Sequence, residues 1–188
     1  MKLSVFEALD RLGKLKRTGW ILSKIPYDLA ENVAEHTIKV AVISLHIARI
    51  LNEKQAMNIE KILKMALIHD FPEAIISDIP RPIKIKMGDK ELNEISLQAL
   101  EDLLSKLECN SELIELFKEF IRGESLEAKI VILADTAATY LQCIVYETEY
   151  GIKTSYLKEI KEATYSRLLK YLKEMNLTLD DLLRHITS

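Results

Sequence analysis

EKILKMALIHDFPEAIISDIPRP, residues 60–82, is the stretch on which the reading of the whole chain turns. Ile62, Leu63, Ala66, Leu67 and Phe71 recur at helical spacing, predicting an amphipathic helix of about four turns whose apolar face ends in polar groups. Those groups are His69 and Asp70. An imidazole nitrogen and a carboxylate oxygen on one rigid turn are two donors suited to a divalent transition metal. Glu73 follows three residues after Asp70, on the same side if the helical path continues. Pro72 has no amide hydrogen, so the helix is expected to kink there or restart with Pro72 opening a new turn. Either outcome frees backbone groups near His69 for a ligand or water.

Upstream, Asn32 followed by Glu35 has the spacing of a reciprocal N-cap, so a helix is predicted from Val33 to about Leu51. Apolar residues cover nearly all its faces, as in a central helix surrounded by others. His36 lies one turn inside its start, with Glu35 as a candidate outer partner for its ring. Before it, Leu3, Phe6, Leu9, Leu12 and Leu15 suggest a first surface helix, and LKRTGWILSKIPYDLAEN, residues 15–32, reads as an irregular connector suited to substrate contacts. Downstream, the two X-Pro steps of ISDIPRPIKIKMGDK predict a stiff, extended turn. Amphipathic helices are then expected over about 90–107 and 111–121, ended by Gly123. A long helix capped by Ser125 runs from Leu126 to about Tyr150, another from Thr154 or Ser155 to about Met175, and a short last one opens at Thr178 with Asp181. Within the long helix, Asp135 stands in the apolar run AKIVILADTAATYLQC, where an ionised carboxylate is costly unless paired or bound to a metal.

The composition bounds the class. The 188 residues, 48% of them hydrophobic, make one domain of all-helical type able to bury a core without disulfides. A net charge of −3 gives no global pull toward nucleic acid or anionic membrane, so any anionic ligand must be held locally. The N-terminus lacks the layout of an export signal, and no run is read as approaching the ~18 apolar residues of a membrane span. Cys109 and Cys143 fit reduced thiols in a cytoplasm better than a disulfide framework.

His36, the His69–Asp70 pair and Asp135 thus supply two imidazoles and two carboxylates from three predicted helices, a mixed set suited to an open site for Mn, Fe, Co, Ni or Zn. A lone interior histidine is more often a satisfied core residue; the ordered set is what points to a metal. AEHT around His36, ALIHDFPEA around His69 and AKIVILADTA around Asp135 resemble the H…HD…D motif of the HD-domain metal-dependent phosphohydrolases. LKRTGW, NVAEHT, HDFPEAIISDIPRPIK and ADTAATYLQC are more narrowly similar to its 5′-deoxynucleotidase branch, whose members are small helical bundles.

The resemblance implies one divalent ion per chain held by His36, His69, Asp70 and Asp135, with Glu73 orienting or deprotonating the attacking water. It implies Asp78 near the substrate, as a second catalytic acid able to take the water's proton in place of Glu73, Arg17 on the phosphate and Trp20 on the sugar, although two residues lie between Arg17 and Trp20 where one subgroup has them adjacent. It also implies a homodimer acting on nucleoside monophosphates. Each assignment has a structural alternative: Glu73 as a cap of the Pro72 turn, Asp78 as a cap of the Ile79–Pro80 turn, Trp20 as a packing anchor. Arg81, Lys84 and Lys86 read better as a solvated face than as a phosphate site, and His46 and His185 as structural or exposed. Two other functions stay open. One is HD-type hydrolysis of a cyclic nucleotide, a guanosine polyphosphate or another phosphorylated metabolite; the other is a metal- or nucleotide-binding module without turnover.

Overall fold

A computed structural model describes residues 3–52, 56–105, 107 and 110–184; Cys109 and His185 lie outside them. Among the described residues the chain is all helix, with no strand beyond one isolated bridge. The helices are α1 (Val5–Lys14), α2 (Thr18–Leu22), α3 (Val33–Asn52), α4 (Ile59–Ile68), α5 (Glu73–Ile76), α6 (Arg81–Met87), α7 (Asp89–Leu104), α8 (Asn110–Arg122), α9 (Leu126–Thr148), α10 (Ser155–Glu174) and α11 (Leu179–Leu183).

Helix α9 is the axis, packed between α3 and α10 and touching α4 and α8. Its window of mean hydropathy 1.4 makes it long and apolar enough to cross a membrane, contrary to the sequence reading, yet 56% of that window is buried inside the fold. Its apolarity serves the core: Ile130, Val131, Leu133 and Ala137 are buried together with Val40 and Ile47 of α3 and Ile62 and Met65 of α4. A second cluster joins α1, α4, α7 and α8, and a third, around Trp20, Cys143, Tyr146 and Leu157, pins the 15–32 connector to α9 and α10.

The caps fall where expected. Asn32 and Glu35 exchange reciprocal 2.9 Å bonds at the start of α3, Ser125 accepts from the Ala128 amide, and Thr154 accepts from Leu157. Other expectations are corrected. In α1 the buried residues are Ala8 and Leu12, while Phe6 is 80% exposed. A strict three-residue step drifts by about 60° each time, so the five apolar positions could not share one face. Helix α3 is open along Ile38, Val42 and Leu45 rather than surrounded, and Leu67 of α4 also faces outward. The connector contains α2 and is closed by an antiparallel bridge between Lys16 and Asn32. The expected extended turn contains α6, because Pro82 falls in the first helical turn, where no amide hydrogen is needed.

Candidate metal centre and active site

Helix α4 ends at Ile68, with His69 as its C-cap; residues 69–72 form a turn and α5 restarts at Glu73 with Pro72 as its cap. The interruption turns His69, Asp70 and Glu73 toward α3 and α9. The Nδ1 of His69 lies 2.7 Å from the Ala66 carbonyl oxygen, which can only accept, so Nδ1 carries the proton. In the neutral ring Nε2 is then a lone pair. It is buried without a hydrogen-bond partner and faces Asp70 Oδ2 at 3.2 Å.

The Nε2 of His36 lies 3.0 Å from Asp135 Oδ1 and 3.8 Å from Asp70 Oδ2, and donor atoms of His36, His69 and Asp135 lie within 4.8 Å of one another. Donors bound at about 2.1 Å to one ion stand roughly 3.0 Å apart at right angles and about 4.2 Å apart when opposite, so these groups lie within about half an ångström of a closed coordination shell. His36, His69 and Asp135 are therefore brought together, and Asp70 stands beside the two imidazoles.

The electrostatics call for a cation at the same point. Burial disfavours ionising Asp70, but His69, His36 and Arg17 outweigh it and hold its carboxyl well below the usual range. Asp135 is likewise lowered against its burial, chiefly by the bond from His36. Burial also opposes charge on His69, yet Asp70 and Asp135 carry it above its ordinary value. The two carboxyls and the two imidazoles thus hold one another's charges, and a set of two imidazole nitrogens and two carboxylates fits a divalent transition ion.

Glu73 behaves oppositely. Burial first, then Asp70 and Asp78, push it well above the carboxylate range, and its Oε2 is buried without a partner. Lys84 Nζ stands 3.8 Å from Oε1. Lys84 shares with His69, Asp70, Glu73 and Asp135 the lining of a cavity of about 200 Å³, so of the three basic residues read as a solvated face only Arg81 and Lys86 are exposed.

Arg17 reaches the opposite side of His36. Its Nη1 lies 2.9 Å from His36 Nδ1, 3.2 Å from Thr139 Oγ1 and 3.5 Å from Glu31 Oε2. Trp20 is only 2% exposed, edge-on to Tyr146 at 5.3 Å, with the Arg17 guanidinium 5.8 Å above its ring. Its influence on the site runs through Arg17 and Glu31 rather than through an open ring face. The Asp78 carboxylate accepts from the Thr18 amide at the start of α2, and its carbonyl accepts from the Thr18 hydroxyl at 2.8 Å. Asp78 thereby fixes the residue next to Arg17 and does not line the cavity.

Sequence reasoning missed Glu31. It is 2% exposed and accepts from Trp20 Nε1 at 3.0 Å and Lys39 Nζ at 2.7 Å, with His36 Nδ1 at 3.8 Å. Glu35, the expected outer partner, is occupied in the cap of α3. Despite burial, His36, Arg17 and Lys39 keep Glu31 below its ordinary value. With Arg17 donating to Nδ1, the proton of a neutral His36 sits on Nε2 and goes to Asp135. If Nε2 held a metal, the proton would belong on Nδ1, which requires Arg17 Nη1 to give up its 2.9 Å contact there and leaves Glu31 Oε2, 3.8 Å away, as the nearest carboxylate to accept it. The only trace of this in the sequence is an acid directly before the Asn32 cap.

The HD-domain family profile matches residues 9–176. The chain is 30% identical to the 5′-deoxynucleotidase YfbR of Shigella boydii, with 97% of each chain covered. It is 29% identical to the 5′-deoxynucleotidase HDDC2 of Xenopus laevis over 77% of this chain and 69% of that one. Among solved structures, a conserved hypothetical protein from Pyrococcus furiosus superposes with a TM-score of 0.76 at 33% identity, covering 97% of this chain and 94% of the other.

Proposed function

Because the chain belongs to the HD-domain family, we propose that it is a metal-dependent phosphomonoesterase that releases the 5′-phosphate of deoxyribonucleoside monophosphates. The observation that carries the reading is the buried, unpartnered Nε2 of His69 set among Asp70, Asp135 and His36, with the carboxylate of Glu73 on the same cavity. His36, His69, Asp70 and Asp135 hold one divalent ion, which when bound neutralises phosphoryl charge and lowers the pKa of water.

Glu73 takes a proton from the attacking water as its oxygen bonds to phosphorus. The P–O5′ bond breaks, and the departing alkoxide takes the proton that Glu73 received, leaving nucleoside, inorganic phosphate and Glu73 as it began. A carboxylate whose pKa is raised is a stronger base than an ordinary one, which suits this transfer. Arg17 meets the phosphate with its planar fork, carried from below by Trp20 and held in register by Asp78 through Thr18. Lys84 offers a second cation beside Glu73.

The same reading includes cytoplasmic residence, supported by the buried free thiol of Cys143, and a homodimer, supported by the open apolar stripe of α3. Phosphate release should be measured after metal removal and reloading with Mn, Co, Ni, Zn or Mg, on paired ribo- and deoxyribonucleoside 5′-monophosphates. Metal-dependent release favouring the deoxy series is expected. Release confined to cyclic nucleotides or polyphosphates, or none with any metal, overturns it.

A further inference from the structure

The cavity that opens on His69, Asp70 and Asp135 has another wall that the phosphate chemistry does not use. Helix α7 turns Asn93 and Ser96 into it, three residues apart and therefore on one helical face. Both are half-buried, and neither side chain has a hydrogen-bond partner among the described residues. Around them the lining is apolar, with Ile79, Phe120 and Ile121 contributing side chains. A half-buried carboxamide and hydroxyl with no partner in the protein are free to donate to and accept from a ligand in the cavity.

We propose that Asn93 and Ser96 read the base of the nucleotide, with its faces against Ile79, Phe120 and Ile121 and its phosphate toward His69 and Asp135. The inference rests on the phosphomonoesterase reading and adds to it the residues that hold the base. The chemistry matches: a carboxamide presents a donor and an acceptor side by side, as a nucleobase edge does, and the Ser96 hydroxyl turns either way. The small cavity also favours a single nucleotide over a longer strand.

The test compares substrates with and without a base. Asn93→Leu keeps the side chain's bulk and removes its hydrogen bonds; Ser96→Ala removes the hydroxyl. For each variant, kcat/KM on deoxyribonucleoside 5′-monophosphates should fall about tenfold through KM. On 2-deoxyribose 5-phosphate it should match wild type, with metal content unchanged. Equal falls on both substrates, or no fall on the nucleotides, overturn the proposal. Calorimetry with the four deoxynucleosides keeps the test independent of turnover. Wild-type binding weakened about tenfold in Asn93→Leu supports base reading even if no phosphate is released, an outcome that would sink only the hydrolase reading; undetectable or equal binding overturns base reading.

Discussion

Glu73 and Glu31 are both buried acids beside the cluster, and their surroundings set them to opposite tasks. Glu73 is flanked by Asp70 and Asp78 and pushed toward holding a proton; Glu31, ringed by Arg17, Lys39 and His36, is held ionised. Glu73→Gln should therefore keep metal content and lower kcat by ~10²–10⁴-fold with little change in KM, which steady-state kinetics and metal analysis would read together. Metal loss would instead make it a ligand. Glu31→Gln should weaken metal binding by about 10–100-fold, measured by competition with a chelator, because the neutral amide is a poorer acceptor for His36 Nδ1–H. Unchanged affinity would reduce Glu31 to a prop for Trp20. His36, His69, Asp70 and Asp135 are legible in the sequence because each interrupts an apolar pattern, and Glu73 through its spacing from His69 and Asp70 and the family resemblance. Glu31 and Asn93 lie in segments where a polar residue is unremarkable, so pattern alone gives no reason to single them out, and Lys84 stands in a basic run whose solvated look hides its approach to Glu73.

Helices show the same division between what is local and what is not. Caps act over three or four residues and could be read directly, as at Asn32, Ser125, Thr154 and Thr178. Which face is buried depends on neighbours far along the chain, and there the reading slipped, for α1, for the open side of α3 and for α6. Ser125→Ala should cost about 1 kcal/mol by removing the acceptor for Ala128 N–H at the head of α9, read as a lower denaturation midpoint without loss of metal ligands. At Gly123, φ is +64°, a conformation L side chains rarely adopt, so Gly123→Ala should be destabilised through the backbone. Ser77, at φ 66° and ψ 166°, occupies a region that glycine favours, directly between Glu73 and Asp78. Thermal melts of Ser77→Gly should show a gain if that turn is strained and no change if it is relaxed.

At the scale of the molecule, α9 joins the centre to the core, since it carries Asp135 as well as Cys143 and Tyr146. Burial raises the Cys143 thiol from 9.0 to about 12 and the Tyr146 phenol from 10.0 to about 12. Both pKa values are higher in the folded than in the unfolded chain. Their contribution is thus complete below about pH 9 and is lost as pH climbs toward 12. Denaturation midpoints should fall over that window, and Cys143→Ala should flatten part of the fall; a slope unchanged by the substitution would place the loss elsewhere. The centre is also assembled across long stretches of chain: His36 and Asp135 are 99 positions apart, Arg17 and Thr139 122, Thr18 and Asp78 60. Contacts within helices and between sequence neighbours form early, whereas such distant pairings wait for loop closure. During refolding, helical signal should therefore return before metal binding does. A nascent chain that has already made its His69–Asp70 turn remains inert until α9 docks, so the cell meets the finished catalyst and none of its fragments.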